Sequence, residues 1–253
     1  MSADLFHAGL GWPIAATLAA VSFASSFITV AFGIGGGAVM LAVLAVLLPA
    51  AAIIPVHGLV QVGSNAGRLA IMTRYVHGAV VPAFLIGALI GVGLGGATVV
   101  QLPAGAIQLG VGLFILWSVF FRPPALMRRS AALTGVISSF LTMFFGGTGP
   151  FVAAFVRGQE LDRMSHVATH AALMTIQHVL KVAVFGLLGF VFSQWIGFVA
   201  LLIAAGFLGT LVGRQVLARI DERLFGLVLR GVLTLLALRL IWSGGTALAV
   251  PGG

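Results

Sequence analysis

Two sets of polar side chains recur at matching positions in two apolar stretches, and their residue types could do chemistry. The first set is His57, Gln61, Ser64 and Arg68, spaced by four, three and four residues, with Asn65 about 100° further round the helix. The second set is His170, Met174, Gln177 and Lys181, with His178 at the position of Asn65. Ionisable side chains inside a membrane are costly and mark substrate pathways.

These sets predict a ligand site on the facing sides of two helices. We expect Asn65 and His178, near the middle of their helices, to contact the ligand. We expect the remaining polar members to attract or gate it: His57, Gln61, Ser64, Arg68, His170, Gln177 and Lys181. The structural alternative is that the cations extend to the membrane interface and the histidines only pack.

A glycine-rich motif also occurs twice. The first copy is Phe32-Gly33-Ile34-Gly35-Gly36-Gly37 and the second is Phe145-Gly146-Gly147-Thr148-Gly149-Pro150. Such motifs interrupt helices, and a bilayer tolerates freed backbone amides only inside protein or beside a polar cavity. We therefore predict substrate-binding roles for Gly33, Gly35, Gly36, Gly37, Gly146, Gly147, Thr148 and Gly149. The alternative is that these glycines only permit close helix packing.

The elements that position these residues belong to an integral membrane protein. The chain has 253 residues, is 60% hydrophobic and 7% charged, and has a mean hydropathy of +1.20. A globular protein averages about 25% charged residues. The chain has no cysteine, which excludes disulfides and thiolate metal sites. The predicted fold class is an all-α integral membrane protein.

The basic residues predict the topology, because Lys and Arg accumulate in cytoplasmic loops. We expect the basic loops near residues 74, 122–129, 157–163 and 214–223 to be cytoplasmic, and both termini to be periplasmic. This alternation requires residues 12–48 and 130–156 each to enter the membrane and return. At about 1.5 Å per residue, the 27 residues of the second segment cannot cross a core of about 30 Å twice. A hairpin with glycines at its tip fits both constraints, either re-entrant or made of two short helices.

A shift of 113 positions superimposes the two polar sets and the two glycine motifs. By the topology above, one copy starts outside and the other inside. We therefore predict two inverted-topology repeats, at residues 12–122 and 129–243, each with a broken-helix hairpin and three transmembrane helices. Repeats of this kind are typical of secondary transporters with a site at the membrane midplane.

The positions of the acidic residues indicate the sign of the ligand's charge. All five lie in predicted loops: Asp4, Glu160, Asp162, Asp221 and Glu222. Cation sites and acidic proton relays need a carboxylate inside the membrane-spanning part of the protein. The sequence therefore favours a carrier for a small anion, with no catalytic residue, metal site, cofactor or nucleic-acid partner, and with a histidine able to carry a proton. A channel, a metal or carboxylate transporter and a membrane enzyme are the alternatives, and the oligomeric state stays open.

The paired glycine motifs around a charged central loop resemble the sulfite exporter TauE/SafE family. The resemblance covers about residues 12–242, and its most specific parts are the motifs at 31–37 and 144–150. It implies a transporter of the bacterial inner membrane for a sulfur oxyanion or organosulfonate, such as sulfite or sulfoacetate. The second motif has Thr148 and Pro150 where the first has Gly35 and Gly37, so the two half-sites need not bind alike.

Overall fold

The computed structural model describes residues 3–32, 35–99, 103–216 and 222–249, and no strand occurs within them. Short 3-10 turns at residues 3–6, 73–75, 78–80, 125–128 and 193–195 connect the α-helices. The α-helices of the described part are α1 (Trp12–Phe32), α2 (Gly36–Leu47), α3 (Ala50–Ala70), α4 (Val81–Val99), α5 (Ala104–Phe120), α6 (Ala131–Phe145), α7 (Gly149–Arg157), α8 (Arg163–Leu187), α9 (Ile196–Val216) and α10 (Glu222–Ala249).

Five of the described helices are long and apolar enough to cross a membrane, which confirms the predicted fold class. They are α1, α4, α8, α9 and α10. Helix α3 is also 21 residues long, but it carries the first polar set. Helices α2, α5 and α6 are apolar and shorter.

Local sequence explains where the helices of the two hairpins begin and end. Gly35 and Gly146 have φ of 106° and 72°, a left-handed backbone that glycine adopts without strain, and they stand at the start of α2 and the end of α6. Asp162 caps α8 by accepting hydrogen bonds from the amides of Met164 (2.9 Å) and Ser165 (3.1 Å). Hydrogen bonds from the Ser165 side chain and backbone hold the pKa of Asp162 below its usual value, so this cap weakens only in acid.

The two hairpins differ in length. Helices α6 and α7 have 15 and 9 residues, or about 22 and 14 Å, so neither reaches across a core of about 30 Å. In the first hairpin, α2 has 12 residues, but α1 has 21 and is long enough to span alone. The first break therefore comes at the far end of a full-length helix, beside residues 33 and 34, which lie outside the described part of the chain.

The packing of the helices is reciprocal under the shift of 113 positions. The shift brings α1–α5 onto α6–α10 in order. Helix α4 packs along α6, and its counterpart α9 packs along α1, while α3 packs on α8 and α5 on α10. This reciprocal packing is the pattern that an internal repeat predicts. The inverted orientation and the repeat boundaries stay predictions.

The largest core lies around α2 and α3, enclosed by α1, α5, α9 and α10. Its fully buried members include Met40, Leu41, Ile53 and Phe198. The outer helices instead expose large apolar side chains, such as Ile86, Leu89, Ile90 and Leu94 on α4. This distribution fits a protein whose surrounding solvent is lipid.

Glycines allow the closest helix pairs. A Cβ at Gly87 or Gly91 of α4 would overlap a backbone oxygen of α6, and a Cβ at Gly209 of α9 would overlap Phe23 O of α1. Small residues at such crossings let the two backbones approach within contact distance. The paired helices α4–α6 and α1–α9 therefore depend on glycine for packing.

We expect Gly91→Ala to lower the thermal stability of the protein. The added methyl would overlap Val136 O and meet Phe140 N at 2.9 Å, and overpacking of this kind costs about 1–3 kcal/mol. Gly93→Ala, on the exposed face of the same helix with no atom within 4 Å of the new Cβ, is the matched control. Its melting temperature in detergent should equal or exceed that of the wild type, because Ala favours helix over Gly. Equal melting temperatures for both variants would contradict the packing assignment.

Candidate functional site

A cavity of about 50 Å³ lies where the glycine breaks meet α3 and α8, and we call it the central cavity. It is lined by residues of the two hairpins and the two polar helices: Thr29, Gly35, Gly37, Ala38, His57, Gln61, Asn65, Arg68, Gly146, Gly147, Gly149, Pro150, His170, Met174 and His178. Its lining contains an arginine and three histidines but no carboxylate.

Two helices begin at this cavity. Gly35 and Gly37 line it at the start of α2, and Gly149 and Pro150 line it at the start of α7. The first amides of an α-helix have no partner within the helix, and a helix N-terminus carries about half a positive charge. Both hairpins therefore direct a partial positive charge toward the same small space.

Two histidines hold these short helices in place. His57 Nε2 lies 3.1 Å from Gly37 O, and His170 Nε2 lies 3.4 Å from Gly149 O. A carbonyl oxygen only accepts, so each histidine donates through Nε2. Each polar helix is thus tied to the first turn of the short helix that precedes it.

The third histidine, His178, contacts His57 in the lining of the cavity. The two rings meet edge to face with their centroids 5.8 Å apart. The Nδ1 atoms of both rings are buried and have no hydrogen-bond partner in the described part of the chain. Unpaired buried polar atoms are costly, and a ligand that pairs with them removes that cost.

Arg68 is the charged group of the cavity, and only 7% of it is exposed. It donates through Nη1 to Asn65 Oδ1 (3.4 Å) and through Nη2 to Ser64 Oγ (3.3 Å), while its Nε has no partner in the described structure. Asn65 in turn donates to the backbone oxygen of Gln61 (2.8 Å). Both bonds of Arg68 are long and neither acceptor is a carboxylate, so the guanidinium keeps capacity for an anion.

The corresponding residues of the second half form a polar network beside the cavity. Gln177 Nε2 donates to Thr148 Oγ1 (2.7 Å), and Gln177 Oε1 accepts from Ser138 Oγ (2.8 Å). Lys181 is fully buried, and its Nζ lies 3.5 Å from Thr142 Oγ1. The two half-sites are therefore unequal: the arginine lines the cavity, whereas the lysine lies behind it.

We expect Gln177→Leu to destabilise the protein by about 1–3 kcal/mol. Gln177 is fully buried, and the replacement leaves the Thr148 hydroxyl without its donor. It also removes one of the two acceptors of Ser138 Oγ, the other being Thr134 O. Gln194→Leu, at an exposed position, is the matched control and should leave the melting temperature nearly unchanged. A Gln177→Leu variant as stable as this control would refute the network as a structural element.

The structure brings most of the predicted residues together in the central cavity. Those that line it are Gly35, Gly37, His57, Gln61, Asn65, Arg68, Gly146, Gly147, Gly149, His170 and His178. Those placed elsewhere are Gly36, Ser64, Thr148, Gln177 and Lys181. Gly33 lies outside the described residues.

Local geometry explains these placements. Gly36 faces α1, where a Cβ would overlap Ser25 O, so it serves packing. The amides of Gly146 and Gly147 already donate to Thr142 O (3.1 Å) and Phe145 O (2.8 Å), so neither is free to donate to a ligand.

Sequence reasoning missed four lining residues: Thr29, Ala38, Pro150 and Met174. Met174 belongs to the second polar set and Pro150 to the second glycine motif, so their positions indicated a place near the site. Neither was selected, because their side chains are apolar. Nothing in the sequence indicated Thr29 and Ala38, because only the folded hairpin brings α1 and α2 to the cavity.

Comparison with known proteins places the chain in a family. No curated protein and no solved structure matches it. A model of the family described as Sulfite exporter TauE/SafE matches residues 18–240, which is most of the chain and includes every residue of the central cavity. The chain therefore belongs to the sulfite exporter TauE/SafE family of membrane transporters.

Proposed function

We propose that the protein binds a small anion in the central cavity and carries it across the membrane by alternating access, and that the anion is a sulfur oxyanion such as sulfite. The observation that carries this proposal is the buried guanidinium of Arg68, which lines the cavity without a carboxylate partner among its hydrogen bonds. The family membership supports the sulfur oxyanion.

Charge favours an anion over a cation. A buried cation without a counter-charge carries a large desolvation cost, which a bound anion offsets. The first-turn amides of α2 and α7 add donors and partial positive charge to the same space. His178 can also donate there when its unpaired Nδ1 carries the ring proton. A metal cation would find no carboxylate among the lining residues.

Size favours a compact anion. A cavity of about 50 Å³ has room for only a few groups the size of a water molecule. Sulfite, with one sulfur and three oxygens, matches this space. Sulfoacetate has a carboxymethyl group in addition and requires the cavity to widen, so we place it second.

The arrangement of the helices supports alternating access. Two broken-helix hairpins meet at one site, as in transporters built from inverted repeats, and the related helices pack reciprocally.

With the basic loops cytoplasmic, the inside-negative membrane potential favours export by about 2.3 kcal/mol per charge per 100 mV. Export therefore needs no coupled ion, whereas uptake would require one.

Ligand binding to the purified protein in lipid nanodiscs tests the proposal. Stabilisation by a true ligand grows as RT ln(1 + [L]/Kd), so sulfite should raise the melting temperature in a saturable way, sulfoacetate less and acetate least. Sulfite flux into proteoliposomes should then saturate with concentration, whereas a channel gives linear flux. Stabilisation by zinc ions alone, with none by sulfite, would overturn the assignment of an anion.

A further inference from the structure

A second and larger cavity adjoins the central one. It lies between α3 and α9, has a volume of about 430 Å³, and we call it the α3–α9 cavity. Arg68 lines both cavities, so this residue lies between them. Ile71 and Phe207 at its margin are 54% and 47% exposed, which shows that this cavity reaches the surface of the protein.

Gly67 of α3 leaves open space on this side, because a Cβ there would meet no atom within 4 Å. Gly63 also lines the α3–α9 cavity, but a Cβ at that position would overlap Ile203 of α9. Ser64 and Thr210 add hydroxyl groups to the lining, and Ser64 Oγ accepts a hydrogen bond from Arg68 Nη2. A passage with these groups can hold water, whereas a purely apolar one would not.

The equivalent place in the second half is filled. The shift of 113 positions replaces Gly63 and Gly67 by Ile176 and Leu180, both of which pack in apolar clusters between α4 and α8. Lys181, the counterpart of Arg68, is fully buried there. The fold is therefore open beside Arg68 and closed beside Lys181.

We propose that the α3–α9 cavity is a water-filled vestibule through which the anion enters or leaves the central cavity, passing Arg68 at the inner end. This inference rests on the proposed function for the identity of the anion, but the route itself can be tested without transport. The structure then represents one end state of the transport cycle, with access on the Arg68 side.

The natural absence of cysteine allows a direct test of hydration. In lipid nanodiscs, Gly67→Cys should be alkylated by iodoacetate at least tenfold faster than Gly93→Cys, as measured by intact mass. Gly93 is equally free of neighbours within 4 Å but lies on the exposed apolar face of α4. Equally slow alkylation of both variants would mean that lipid fills the cavity, and would overturn the proposal.

A second arm tests the route. A cysteine at Gly149 in the central cavity has room for its Cβ, since the nearest atoms are Met174 Cε at 3.8 Å and His170 Nε2 at 4.0 Å. Adding Gly67→Phe, which fills the vestibule, should slow alkylation of Gly149→Cys at least tenfold, whereas adding Gly93→Phe should not. Equal rates in the two backgrounds, or no alkylation of Gly149→Cys in any of them, would overturn the route. A protein that passes both arms but is not stabilised by sulfite would retain the vestibule and lose only the proposed substrate.

Discussion

Arg68→Gln should weaken sulfite binding and slow transport more than any other single change, while leaving the ligand-free protein at least as stable as the wild type. Removing one partner of a buried, hydrogen-bonded charge pair costs about 2–5 kcal/mol, which corresponds to a loss of affinity of roughly 30-fold to several thousand-fold. The measurement is the shift of the melting temperature with sulfite, together with flux into proteoliposomes.

The sign of the stability change separates a binding role from a folding role. Arg68 is buried and lacks a carboxylate among its hydrogen-bond partners, so neutralising it removes a desolvation cost from the ligand-free state. A purely structural arginine would instead lower the melting temperature when replaced. Loss of stability with unchanged sulfite affinity would therefore refute the site assignment.

Two further variants complete the test of Arg68. Arg239→Gln removes one positive charge from an exposed position on α10, so it matches the change in net charge and should bind sulfite normally. Arg68→Lys keeps the charge but loses the planar fork that binds an oxyanion through two parallel hydrogen bonds. It should recover only part of the affinity.

Gly149→Ala should weaken sulfite binding at least tenfold without unfolding the protein. The new methyl group makes ordinary contacts, at 3.8 Å from Met174 Cε and 4.0 Å from His170 Nε2, and projects into a cavity of only about 50 Å³. Gly36→Ala should instead lower the stability of the protein, because its methyl group would overlap Ser25 O and destabilise the packing of α2 on α1. Thermal shifts with and without sulfite distinguish the two results.

The control for Gly149→Ala is Gly245→Ala on α10, where the new Cβ meets no atom within 4 Å. It should change neither the affinity nor the melting temperature appreciably. If Gly149→Ala also left the sulfite affinity unchanged, the start of α7 would not lie beside the ligand.

Composition and spacing predicted much of this protein. A chain with 7% charged residues is typical of a membrane protein, and its long apolar stretches predicted transmembrane helices. The structure confirms an all-helical membrane protein within the described residues. The spacing of His57, Gln61 and Arg68 predicted one polar face, and all three line the same cavity. The helical period and the cost of buried charge act locally, so they can be read from the chain alone.

The tertiary structure decided which glycines pack and which surround the cavity. Gly36 and Gly37 are neighbours in one motif, yet Gly36 lies against α1 and Gly37 lines the cavity. It also decided that Arg68 lines the cavity while Lys181 lies behind it, although the two correspond in sequence. These distinctions depend on side chains that other helices contribute, such as Thr142 of α6 beside Lys181. The spacing of residues along the chain does not specify which helices come into contact.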